Sequence, residues 1–187
     1  MKRLTAMLTL CVATAIGSAT PRAMTYVAAD FPTLVGEARA IAVCRVVTLA
    51  PQWKEGRRGI ETLLTLEVDR YLKGDLGPTV TLAVPGGQMG RYRSVMPGAP
   101  SFAQGEELVL FLAGGDASVP HVLGLGQGVF RILSDGAHGT RIVVPEILMA
   151  AGTGAVRIVR GELARRPSTL EQFEAEVRTA MQPRVAR

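Results

Sequence analysis

Apolar and polar positions along the chain change period several times, and each change predicts an element. Asp30 precedes Phe31, Leu34, Val35 and Ala38 at helical spacing, with an Asp to cap the free amides and Pro32 in the tolerated first turn, so a short helix opens the domain. Ala40 to Leu49 is rich in β-branched residues around Cys44 and predicts a strand that ends before Pro51, with Cys44 in the core. From Ile60 to Leu72 strict alternation sets Leu64, Leu66, Val68 and Leu72 on one face against Thr65, Glu67, Asp69 and Tyr71 on the other. A turn at Lys73, Gly74 and Asp75 leads to a partner strand, Thr79 to Val84. Leu108 to Leu112 is an uninterrupted apolar run, as expected of a central strand covered on both faces.

The remaining segments are more broken. Val122 to Leu133 has strand character interrupted by Gly124, Gly126 and Gly128, which predicts bends or close backbone approach. Arg141 to Val144 and Ala155 to Val159 are two further strand candidates. Ser168 and Glu171 have the spacing of a capping box ahead of Leu170, Phe173, Val177 and Met181, so a helix closes the domain. Five or six short strands with helices only at the ends predict a mainly β fold, a small antiparallel OB-like barrel or a sandwich, with a short N-terminal helix and a C-terminal helix.

Charge adds a processing expectation. Lys2 and Arg3 precede an apolar stretch that meets no further charge before Arg22, shorter than the roughly 20 residues of a membrane-spanning helix. The pattern is that of a cleavable export signal over residues 1–19, with Gly17 and Ala19 in the small-residue positions and later cleavage at Ala23 or Ala29 as alternatives. Leu10 before Cys11 is too large for a lipobox. A single β-rich domain is expected over 30–182 with a tail at 183–187, in the periplasm or outside the cell, without a transmembrane anchor in the mature chain. Loss of Lys2 and Arg3 lowers the formal net charge from +5 to +3, a mild basicity that suits anionic surfaces more than nucleic acid. Only Cys44 would survive cleavage, so no intramolecular disulfide is expected, and an intermolecular one stays open.

Candidate chemistry is sparse. His121, His138 and one mature cysteine fall short of a zinc site, and no metal or cofactor is expected. The glycines at 124, 126 and 128 lead into a strand, with Val129 where a dinucleotide loop needs its last glycine. Cys44 inside an apolar strand is a poor nucleophile, and no G-x-S-x-G elbow is present. The informative segment is Gly86 to Phe102, where Arg91, Tyr92, Arg93, Met96 and Phe102 stand on a scaffold of Gly and Pro; Trp53, Arg57 and Arg58 are expected to join them. Two roles are open to it: a binding loop, or a plug in which Met96 and Phe102 close the end of a barrel while the arginines are ordinary solvated charges.

The ordered motifs "TLVGEARAIAVCRVV" from Thr33, "ETLLTLEVDRYLKGD" from Glu61, "VTLAVPGG" from Val80, "PGAPSFAQGEELVLFL" from Pro97, "GLGQGVFRIL" from Gly124 and "STLEQFEAEVR" from Ser168 resemble a family of exported bacterial proteins of unassigned activity. Leu72, Lys73 and Gly74 after a strand are similar to the netrin-type OB barrels of tissue metalloproteinase inhibitors. That likeness implies a binding platform, although the inhibitors' N-terminal cysteine has no counterpart here. The expected function is a noncatalytic exported module that binds a protein partner, a protease among the candidates. An exported hydrolase built on Asp116, Asp135, His121 and His138, or an envelope structural subunit, are the alternatives. The sequence leaves the oligomeric state open.

Overall fold

The computed structural model describes residues 29–114, 119–134, 139–146 and 165–182. Helix α1 (Phe31–Glu37) is followed by β1 (Ala40–Trp53), β2 (Ile60–Lys73) and β3 (Thr79–Pro85), a small hairpin of β4 (Gly87–Met89) and β5 (Tyr92–Ser94), β6 (Glu107–Ala113), β7 (His121–Val122), β8 (Val129–Ser134), β9 (Arg141–Pro145), β10 (Ser168–Thr169) and helix α2 (Leu170–Met181). The mainly β class with a helix at each end of the domain is as expected. One antiparallel sheet runs in the order β10-β9-β8-β6-β1-β2-β3, with β7 paired to β6; its hydrogen bonding does not close into a ring among the described residues. The apolar run of β6 lies at the middle of that order. The strand expected over 155–159 lies outside the described residues.

Alternation divides the interior into two layers. Ile41 and Val43 of β1, Val109 and Phe111 of β6, and Phe130 and Ile132 of β8 face α1 and α2, where Phe31, Phe111, Phe130 and Phe173 pack ring against ring, with Phe130 and Phe173 centroids 4.9 Å apart. Cys44 and Val46, the leucines 108, 110 and 112, and the inner rows of β2 and β3 line the opposite face. The sheet curls enough to bring β7 against β3, so that Val122 joins Val80, Leu82 and Val84.

Several expectations shift locally, each for a physical reason. β2 carries an extra residue opposite Val43/Cys44 and another opposite Ile41/Ala42, which reverses the alternation. Leu72 therefore packs on the helix side, whereas Tyr71, expected on the wet face, turns into the second layer and donates its hydroxyl to the Gly77 carbonyl at 2.7 Å. β1 does not end before Pro51. The Lys54 amide donates to Gly59 at 2.9 Å, and alternation from that pair points Pro51 away from β2, where its missing N–H costs no ladder bond. The capping box sits one residue later than expected: Thr169 accepts from the Gln172 amide, and Gln172 from the Thr169 amide, each at 3.2 Å. In place of one interrupted strand, β7 and β8 flank a tight turn at Leu125–Gly128. Gly128 is required there, since a Cβ would lie 2.6 Å from the Leu123 carbonyl.

Candidate functional site

The segment Gly86 to Phe102 is not wholly irregular. β4 and β5 form a hairpin turned at Gly90, pairing Met89 with Tyr92 and Gly87 with Ser94. This hairpin lies across the far ends of β1 and β2, an approach that Gly87 permits: a Cβ there would meet Thr62 Oγ1 at 2.7 Å and Ile60 at 3.1 Å. Thr62 in turn donates to the Gly86 carbonyl at 2.9 Å, and the Gly86 amide donates to Ile60 at 3.0 Å, so both ends of the connection to β3 are fixed. At the other end of the loop, Arg131 of β8 donates to the Ser101 carbonyl at 2.7 Å while ion-pairing with Glu106 and Glu146.

Folding back in this way brings distant sequence positions together. Trp53, which lies past the expected strand end at Pro51, instead ends β1, and its ring stands edge-on to Tyr92 with centroids 5.4 Å apart. Arg91 donates to the Tyr92 hydroxyl at 2.9 Å and its guanidinium lies 5.1 Å from the centre of that ring. The three form a stack in which Tyr92 remains 50% exposed. Arg93, on the next turn of the pleat, is exposed and lines a groove beside the hairpin. Its volume is about 460 Å³.

Met96 and Phe102 border the same groove but differ in role. Phe102 is half-buried against the second layer, whereas Met96 is 39% exposed and next to Val95 at 70%. Of the eight residues singled out in the sequence, six therefore meet around the stack and its groove, Arg57 and Arg58 being the exceptions. Arg57 lies on the helical turn Glu55–Arg57 between β1 and β2, close along the chain to Trp53. Leu49, Leu64 and Val84 complete the groove wall, and the sequence pattern placed them only on strands. The one signal pointing there was the Gly86-Gly87 pair directly after a strand, which marks close backbone approach.

Other candidate chemistry is quieter. Cys44 is 2% exposed, its thiol faces the Leu108 carbonyl at 3.8 Å, and burial pushes its pKa from the ordinary 9.0 up to about 12, so it is a protonated core residue. His121 is exposed at the start of β7, while His138, Asp116 and Asp135 lie outside the described residues. Among the described residues no three His, Cys, Asp or Glu side chains converge as metal ligands. A depression of about 400 Å³ over β1, β2 and β6 is lined by Arg45, Glu67, Asp69, Glu107 and Arg141. Its two arginines are both paired with Glu107, at 2.6 and 2.9 Å, so neither stands as an unpartnered cation in the depression. Compared with family models, curated proteins and solved structures, the chain matches none.

Proposed function

We propose that the protein is a noncatalytic exported binding module that recognises a protein partner through the stack of Trp53, Tyr92 and Arg91 and the groove beside it. The observation that carries this reading is the edge-on contact of Trp53 with a Tyr92 that stays half open to solvent. Aromatic and arginine side chains held by one another, with exposed Val95 and Met96 alongside, have the composition of interface anchors, which bind well because little freedom is left to lose. A rigid sheet under a loop-borne site agrees with that use. Export rests on the N-terminal pattern of Lys2, Arg3 and the apolar stretch that follows. No helix among the described residues is long and apolar enough to cross a membrane. The test is capture from the native envelope and secreted fractions with the mature protein. A partner retained by the wild type and lost with Trp53→Ala and with Tyr92→Ala supports the reading; equal retention by both variants removes this site.

A further inference from the structure

The groove is apolar inside and basic outside. Leu49, Leu64, Val84 and Phe102 supply its apolar lining, whereas Arg93 stands on its rim. Arg91 lies two residues away, and Lys54, Arg57 and Arg58 occupy the β1–β2 connection, which lies beside the hairpin: a Cβ added at Gly59 would stand 3.9 Å from the Ser94 hydroxyl. Against these five basic residues the two segments 51–60 and 86–102 contain a single acid, Glu55. Glu61, the next acid along the chain, is held by the Gln52 amide at 2.9 Å and by Lys54 at 3.8 Å. Arg93 makes no ion pair with a described residue. Arg91 and Arg93 of the hairpin thus leave positive charge at the rim of a cavity whose bottom reaches core leucines.

Building on the binding-module reading, we infer that the partner presents an extended peptide segment in which a large apolar side chain is flanked by carboxylates. The apolar side chain enters the groove beside Phe102, and the carboxylates meet Arg93 and the free donors of Arg91. A volume of about 460 Å³ holds one or two such side chains but not a whole helix. Carboxylate is the complement of a fork of guanidinium donors, and a basic rim selects against segments carrying lysine or arginine at those positions. A flat anionic membrane offers the right charge but cannot fill a concave, apolar-floored groove.

A phage-displayed library of random octapeptides, selected on the full mature protein, tests this directly. The expected result is enrichment of sequences that pair Phe, Leu, Ile or Trp with neighbouring Asp or Glu. The synthesised winner is expected to bind about tenfold more weakly to the Arg91→Ala/Arg93→Ala double variant at low salt, as two exposed charge pairs would give. It should fail on Ala99→Phe, which fills the groove, provided far-UV dichroism and the thermal midpoint match the wild type; the arginine pair decides the matter if that variant does not fold. Enrichment without acidic bias, indifference to the arginine substitutions, or binding only to phosphatidylglycerol vesicles overturns the inference. If selection fails in these ways while envelope capture still depends on Trp53 and Tyr92, the module stands and only the chemistry of its partner is wrong; loss of that dependence removes the module itself.

Discussion

Gly87 approaches Thr62 so closely that a single methyl group on the glycine would stand 2.7 Å from the threonine hydroxyl oxygen. At φ +144° the position also disfavours any other residue. Gly87→Ala should therefore lift the hairpin away from β1 and β2 without touching either core layer. The expected outcome is a red-shifted emission from Trp53, the only tryptophan in the chain, and weakened partner capture, with a thermal midpoint near that of the wild type. An unshifted emission would place the hairpin's anchorage elsewhere.

Trp53 and Tyr92 should be energetically coupled. In a double-mutant cycle of Trp53→Ala and Tyr92→Ala, the edge-on pair is expected to contribute about 0.5–1.5 kcal/mol beyond the two single effects, read from denaturant unfolding. Additivity within error would mean that the rings are neighbours without mutual support, and that the stack is not preorganised.

The aromatic cluster under the helices fixes the stability of the domain. Phe173 is fully buried, with ring centroids of Phe130 and Phe31 at 4.9 and 5.4 Å. Phe173→Ala is predicted to destabilise by about 3–5 kcal/mol, because the sheet behind it is too rigid to close the void. By contrast, Met181→Ala, at the half-exposed end of the same helix, should change little. Urea midpoints of the two variants make the comparison.

Cys44 gives a pH signature. Its folded pKa of about 12 exceeds the ordinary 9.0 of an exposed thiol, so the folded state holds this proton more tightly than the unfolded one. The stabilising contribution is complete below pH 9 and is lost as pH rises from about 9 to about 12. Stability measured across that range should fall less steeply in Cys44→Ala than in the wild type. At pH 8 the thiol should react with a disulfide reagent only as fast as the protein opens; rapid labelling of the native state would contradict its placement.

The strands with uniform apolar content could be read from the chain because burial alone dictates them: Leu108 to Leu112 has no polar face to expose, and β6 is central. Features that depend on a partner were hidden. Nothing near Leu72 announces the extra residues in β2, which are defined only by pairing with β1, and the faces of Tyr71 and Leu72 follow from them. Pro51 reads as a strand end until the register shows which way its nitrogen points. Thr169 and Gln172 carry capping chemistry as good as that of Ser168 and Glu171, so only the backbone chooses between them. The site was visible as a composition, arginines and aromatics on Gly and Pro, but its geometry was not. Trp53 and Tyr92 are far apart in sequence, and a glycine pair gave the sole sign of the approach that joins them.

The most direct test of the central claim compares two equally open positions. Val95, beside the groove, is 70% exposed, and Val119, before β7, is 67% exposed. A photoreactive phenylalanine analogue placed at each in turn, with irradiation in the native envelope and secreted fractions, reports which face meets a partner. A discrete adduct from position 95 and none from position 119 is the predicted result. Adducts of equal yield from both, or from position 119 alone, would contradict the assignment of the hairpin and its groove as the recognition surface.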